Sequence, residues 1–195
     1  MIRQLSDREI VIQLYATQLL ILAVSAVIGF FFFTDIHDFL KLWHIRDDNI
    51  IWYGVTLAVL VIFADLAVMK WCPSHLYDDG GINVLLFKNR PVLHILFLTL
   101  LISFSEEILF RGVLQTHIGL WAASFIFTVL HFRYLAKWLL FMMVAGISLL
   151  LGLIYEWTGN LFVPVTAHFI IDAVFACQIR FQYVRRGFYD GNVKS

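Results

Sequence analysis

Hydrophobic residues in this chain form long continuous runs, which charged or turn-rich segments separate. At 1.5 Å per residue, a helix of about 20 residues crosses the ~30 Å hydrocarbon core of a bilayer. Six runs approach or exceed that length, near residues 11–33, 50–69, 91–117, 120–135, 138–155 and 161–179. The pattern predicts an all-α fold, a polytopic membrane helix bundle of about six transmembrane helices.

Turn-forming residues support this division of the chain. Segments 78–81 and 158–160 are rich in Asp, Asn and Gly and precede the third and sixth runs. Pro91 and Pro164 lie near helix starts, where a missing N–H costs little. The first run is too long for the apolar part of a signal peptide, so we expect the first helix to remain as an anchor.

Composition agrees with a membrane location. Hydrophobic residues make up 61% of the 195 residues and charged residues 14%, and the mean hydropathy is +0.84. These values lie outside the usual range of soluble domains. The formal net charge is zero, which gives no indication of a nucleic-acid partner. Cys72 and Cys177 are far apart in sequence and indicate neither a disulfide framework nor a thiolate metal site.

The basic residues are distributed unevenly between the two sides of the predicted spans. If the spans alternate in direction, eleven of the fourteen Lys and Arg residues fall on one side. Only Lys41 and Arg46 fall on the other, and Arg111 lies inside the third run. Because cytoplasmic segments retain basic residues, this distribution predicts that both termini are cytoplasmic.

The third run carries three charged residues where a transmembrane helix is expected to have none. Glu106, Glu107 and Arg111 lie between Ser105 and Gly112, and intramembrane charge is costly and commonly functional. Residues four apart share a helix face, so Glu107 and Arg111 are expected to form an ion pair. Glu106 lies 100° away and is expected to be the freer acid, suited to act as a base.

Three further polar residues fall at a similar predicted depth. Measured from the non-cytoplasmic helix ends, Glu106, His131 and Asp172 lie roughly 18 Å deep and His168 roughly 12 Å deep. Residues from three helices are therefore expected to meet, provided that the fourth helix continues past Arg133. Taken singly, each histidine could be only a hydrogen-bond bridge between helices. Likewise, the pair of Glu107 and Arg111 could serve structure alone.

These residues form three motifs in the order and spacing of a known family. They resemble the CPBP intramembrane proteases, also called the Abi or CAAX protease and bacteriocin-processing family. The motifs are Glu106-Glu107-x-x-x-Arg111, Phe127-x-x-x-His131 and His168-x-x-x-Asp172, and the approach from Thr158 to His168 is also similar. The resemblance covers about residues 93–175. We therefore expect a single integral-membrane domain over 1–195, with a catalytic core at about 91–180 and two anchoring helices with loops in 1–90.

The resemblance implies proteolysis within the membrane, near the C-terminal end of a membrane-anchored or lipidated protein substrate. In that role Glu106 would activate water with the aid of His131. His168 and Asp172 would flank the scissile carbonyl and its oxyanion, while Glu107 and Arg111 would shape the first motif.

Asp172 departs from the family pattern, in which Asn or a similar polar residue is usual. An amide can donate a hydrogen bond to an oxyanion, whereas an ionised carboxylate repels it. Asp172 could stay protonated and donate, or it could accept a proton from His168 and orient that ring. A third alternative is a zinc site formed by Glu106, His131, His168 and Asp172. The lack of an HExxH motif favours a metal-free glutamate protease, although Asp172 weakens that preference.

Two functions of other classes remain as alternatives. One is a non-proteolytic membrane immunity or binding protein of the same fold. The other is a small transporter or proton relay, for which intramembrane Glu, His and Asp are equally typical, although no inverted repeat supports it. The compact length favours a prokaryotic inner-membrane enzyme. The predicted depths, slightly nearer the outer face, favour processing the tails of exported proteins, whereas a site open to the cytoplasm would suit prenylated CAAX tails.

Overall fold

A computed structural model describes residues 6–192, except for the side chains at position 7 and at 186–192. All regular structure in that range is helical, which confirms the all-α prediction. The α-helices are α1 (Asp7–Phe32), α2 (Ile36–Leu40), α3 (Thr56–Trp71), α4 (Ile82–Phe87), α5 (Val92–Glu107), α6 (Thr116–Leu130), α7 (Trp138–Thr158) and α8 (Phe162–Asn192). The π-helical segments Ile50–Val55 and Ile108–Gln115 lead into α3 and join α5 to α6, and Ser74–Leu76 and Phe132–Tyr134 form 3₁₀ turns.

Five helical stretches within the described residues are long and apolar enough to cross a membrane. They are Arg8–Phe32, Ile50–Trp71, Val92–Leu130, Trp138–Thr158 and Phe162–Arg185. The third contains 39 residues, about twice the length that a single crossing needs. It includes both the third and the fourth predicted spans, so the count is five where six were expected.

Gly119 interrupts this long stretch at the predicted boundary between the two spans. Its φ of 83° and ψ of 166° are non-helical, and glycine adopts a positive φ without the steric cost of a side chain. The chain therefore changes direction between residues 117 and 120, where the third predicted run ends and the fourth begins.

The fourth predicted helix is shorter than expected. The prediction that it continues past Arg133 is wrong, because α6 ends at Leu130 and His131 caps it with φ −87° and ψ 28°. The turn after α6 gives the basic side chains of this segment partners outside the helix. The Arg133 guanidinium stacks on the Tyr134 ring at 4.5 Å and donates to its hydroxyl, and Lys137 Nζ donates to the His75 carbonyl at 3.0 Å. A charged segment thus leaves the helix and folds back on neighbouring loops.

The start of α8 is fixed by a network around Asn160, which is fully buried. The helix before it ends at Gly159 with φ 61°, a usual left-handed helix terminus. Asn160 Oδ1 accepts from the backbone N–H of Phe162 at 3.0 Å and of His44 at 3.2 Å. Its Nδ2 donates to the His44 carbonyl at 2.7 Å and to Asp47 Oδ2 at 3.0 Å. One side chain therefore caps α8 and ties it to the loop before α3.

Helix α8 packs against α3, α5 and α7, and so lies at the centre of the bundle. A buried cluster fills the space between α3, α7 and α8, and consists of Leu57, Ala58, Val61, Leu151, Ile154, Val163, Ala167 and Ile171. Gly54 lies so close to α8 that a Cβ there would stand 3.0 Å from the Val163 carbonyl oxygen. Small residues that allow such close approach are typical of helix packing in membranes.

The predicted cytoplasmic location of the termini depends partly on residues outside the described part. Arg3 and Lys194 lie outside it, and the side chain of Arg186 is not described. The orientation in the membrane stays a prediction.

Candidate active site

The buried charges at the junction of α5 and the π-helical segment Ile108–Gln115 form the predicted ion pair. Arg111 Nε lies 3.2 Å from Glu107 Oε2, and Nη1 donates to Oε1 at 3.2 Å. The Glu107 side chain is 0% exposed and that of Arg111 1%. Arg111 Nη2 also donates to the carbonyl and hydroxyl oxygens of Ser148 on α7 at 2.8 and 3.1 Å. The guanidinium is thus neutralised and hydrogen-bonded without solvent, as a buried charge requires.

Glu107 also contacts His168 on α8. His168 Nδ1 lies 2.8 Å from Glu107 Oε1, and since a carboxylate only accepts hydrogen bonds, Nδ1 carries a proton. The other ring nitrogen, Nε2, lies 3.5 Å from Asp172 Oδ2, which is long for a hydrogen bond. The ring is therefore oriented by Glu107 rather than by Asp172, the partner that the spacing on α8 indicates.

Glu106 is separate from this network, as the helical angles predict. It makes no hydrogen bond or ion pair with any residue in the range 6–192, and it lines a cavity that Glu107 and Arg111 do not line. The two adjacent acids therefore differ in surroundings: Glu107 contacts Arg111 and His168 inside the bundle, and Glu106 is open to the cavity.

His131 stands at the end of α6 with its ring stacked on two aromatic neighbours. The ring stacks on Phe127 at 4.4 Å and on Tyr134 at 6.0 Å. Its Nδ1 lies 2.8 Å from the Phe127 carbonyl oxygen, so Nδ1 is the protonated nitrogen. In the neutral ring, Nε2 is then left as an acceptor.

One cavity of about 670 Å³ brings these groups together, and Glu106, His131, His168 and Asp172 all line it. Other lining residues come from α5 to α7, and the lining also includes the first half of α1, from Ile10 to Ile21, then α4 and the Ala176 to Ile179 part of α8. The cavity thus extends from the polar groups to the end of the bundle where α1 begins. The predicted convergence of four residues from three helical regions is present, while their chemical roles stay predictions.

The polar groups are not arranged as a preformed metal site. No group of three or more His, Cys, Asp or Glu residues in the described range could hold a metal ion as placed. His168 Nδ1 contacts Glu107 and His131 Nδ1 contacts a backbone carbonyl, which leaves Nε2 of each ring free, as in a histidine that binds a metal. The zinc alternative therefore stays a prediction, although binding would require the four side chains to move closer together.

Sequence reasoning missed two polar residues close to the site. Gln18 of α1 lines the cavity and contacts Ser105, and Ser148 of α7 holds Arg111. Gln18 had a detectable signal, because it is one of two amides, with Gln13, in a mostly apolar predicted span. Ser148 had none, because a single serine in a membrane helix usually bonds to its own backbone.

The comparisons with known proteins agree with the motifs. The family model described as type II CAAX prenyl endopeptidase Rce1-like matches residues 88–174, which include every predicted site residue. The chain is 72% identical over 179 residues to the uncharacterized protein YpbD of Bacillus subtilis (strain 168). That alignment covers 92% of this chain and 95% of the relative. No solved structure matches. The chain belongs to the Rce1-like type II CAAX prenyl endopeptidase family, a branch of the CPBP proteins whose three motifs it carries.

Proposed function

We propose that this protein is an intramembrane endopeptidase, in the plasma membrane of a prokaryote, that hydrolyses a peptide bond near the C-terminal end of a membrane-associated protein. The observation that carries the proposal is the separation of the two acids. A carboxylate with no protein partner faces a cavity, while its neighbour holds a histidine that lines the same cavity. Such an unpaired acid beside two fixed imidazoles is suited to activate water.

In the proposed reaction, Glu106 accepts a proton from water as the water oxygen attacks the scissile carbonyl carbon. His131 Nε2, the free acceptor of its ring, orients that water. The carbonyl π electrons move to the oxygen and form an oxyanion, and the C–N bond then breaks. Glu106 returns its proton to the departing amine. No metal takes part in this proposed sequence, and Glu107 with Arg111 positions His168.

The direction of the cavity bears on the substrate. Its lining reaches the end of the bundle where α1 begins, which the basic residues predict to be cytoplasmic. We therefore favour a substrate that enters from the cytoplasm, such as a lipidated C-terminal tail, over the tail of an exported protein. The substrate's lipid would lie among the apolar residues of the lining.

The decisive experiment compares Glu106→Gln with the matched control Glu156→Gln, which alters an exposed acid of α7. Purified protein in liposomes is given a quenched fluorescent, farnesylated peptide that ends in a CAAX sequence, and a membrane protein with a hydrophobic C-terminal tail. Because general base catalysis contributes about 10²–10⁴-fold, kcat should fall at least ~10²-fold in Glu106→Gln and stay unchanged in Glu156→Gln. Unchanged cleavage in Glu106→Gln overturns the proposal. Substrate binding without product in the wild type favours the immunity or binding function instead.

A further inference from the structure

Gln18 is a buried amide that shares the cavity with the proposed catalytic groups. It is 3% exposed and lies on the face of α1 that lines the cavity. It contacts Ser105, the residue directly before Glu106, and so lies at nearly the same depth in the bundle as that acid. Gln18 also lies outside the segment that the family model matches.

The amide oxygen of Gln18 accepts a hydrogen bond from a described residue, and the amide nitrogen donates to none of the described residues. Ser105 Oγ donates to Gln18 Oε1 at 2.5 Å, which fixes the side chain against α5. Gln18 Nε2 makes no hydrogen bond to any residue that the structure describes, yet it is not among the fully enclosed polar atoms without a partner. Its remaining accessible area therefore faces the cavity, since the side chain lines it. An N–H₂ group that faces a cavity can donate to water or to a bound ligand.

Asp172 leaves the proposed reaction without the amide donor that the third motif usually supplies. The Asp172 side chain is 32% exposed and lies 3.5 Å from His168. An ionised carboxylate cannot donate a hydrogen bond to an oxyanion. A neutral donor from another helix would fill that role, and Gln18 is a neutral amide that lines the same cavity.

We propose that Gln18 is a further catalytic residue, whose Nε2 donates a hydrogen bond to the carbonyl oxygen of the scissile peptide and to the oxyanion that forms there. This inference rests on the proposed proteolysis. The proton stays on Gln18 throughout: water attacks the carbonyl carbon, its proton moves to Glu106, and the carbonyl π electrons move to the oxygen that Gln18 holds. Removing one such donor typically costs about 10²–10³ in kcat.

Two substitutions remove the donor in different ways. Gln18→Met is neutral and of similar length, whereas Gln18→Glu keeps an oxygen that accepts from Ser105. With the farnesylated peptide in liposomes, both variants should lose about 10²–10³-fold in kcat, with KM and the thermal unfolding midpoint nearly unchanged. Ser105→Ala loosens the amide without removing it and should cause a smaller loss in kcat. Ser25→Ala, a buried α1 residue that bonds only to its own helix, should behave as the wild type.

A purely structural role for Gln18 gives a different pattern. Gln18→Glu would then keep both the Ser105 contact and the activity, and Gln18→Met would lower the unfolding midpoint without a specific loss in kcat. Either result overturns the inference, and so does a loss in Gln18→Glu alone, which would report only the added charge. If the wild type cleaves, Glu106→Gln does not and both Gln18 variants do, only this inference fails. If the wild type cleaves neither probe, the proposed function fails as well.

Discussion

At the scale of single residues, the main finding is that Glu107 has two partners. It receives Arg111 from its own helical stretch and His168 from α8, so it connects the first and third motifs. The i, i+4 spacing predicts the contact with Arg111, but the contact with His168 depends on the rotation of α8. Glu107 therefore holds His168 as well as Arg111, a contact that the spacing in the sequence does not indicate.

Replacing Arg111 tests how much this buried pair stabilises the protein. Arg111→Met leaves Glu107 charged inside the bundle, and breaking a buried pair in this way costs about 3–5 kcal/mol. Thermal unfolding in detergent should show a large drop in the midpoint. The matched control is Lys41→Met, which breaks the exposed pair of Lys41 with Asp38 at 2.8 Å. Exposed pairs contribute little, so no change in the midpoint is expected there. Equal effects in the two variants would contradict the assignment.

At the scale of helices, irregular segments lie where the site is assembled. The π-helical segment Ile108–Gln115 carries Arg111, and π-helical turns often occur at functional sites. The other π-helical segment, Ile50–Val55, contains Gly54, which lies against the first turn of α8. These irregularities adjust how α3 and α5 meet α8, the helix that carries His168 and Asp172.

Gly54 and Gly146 form a matched pair that tests this packing. In Gly54→Ala, the new Cβ would stand 3.0 Å from the Val163 carbonyl oxygen, a backbone atom that moves only with α8. Overpacking of this kind costs about 1–3 kcal/mol, so the unfolding midpoint should fall. A Cβ added to Gly146 on α7 would meet no atom of another helix within 4 Å, so Gly146→Ala should be neutral or slightly stabilising. A stable Gly54→Ala variant would show that the close approach is not required.

For the molecule as a whole, the two ends of the helix bundle differ, because the cavity extends to only one of them. One end carries the start of α1, α4 and the outer cavity lining. The other carries α2 and the loop that Asn160 ties to α8. With the predicted topology, the cavity lining extends to the cytoplasmic end, and the tied loop lies at the opposite end.

Cysteine labelling tests this orientation. In a background without Cys72 and Cys177, Thr17→Cys places a thiol on the cavity lining, and Lys41→Cys places one at the opposite end. A membrane-impermeant maleimide should label position 17 only from the cytoplasmic side and position 41 only from the other side. Mass spectrometry of right-side-out and inverted vesicles measures both. Labelling of position 17 from the outside only would reverse the orientation and with it the proposed route of the substrate.

The fold class, the apolar runs and the pairing of Glu107 with Arg111 follow from the amino-acid sequence alone. These features depend on local periodicity, since the number of apolar residues that cross a bilayer and the angle between positions on a helix are fixed by helix geometry. The boundary between the third and fourth runs is likewise local, because Gly119 is a residue that tolerates the break.

Which groups from different helices meet, and in what geometry, depends on how the helices pack. The contact of His168 with Glu107, the position of Gln18 beside Ser105 and the end of α6 at Leu130 depend on helix rotation, tilt and loop contacts. In a membrane these follow from close packing of small residues and from interhelical hydrogen bonds. Neither leaves a periodic signal in the sequence. Rotating a helix about its axis would change which residues it contacts, while its apolar pattern would stay the same.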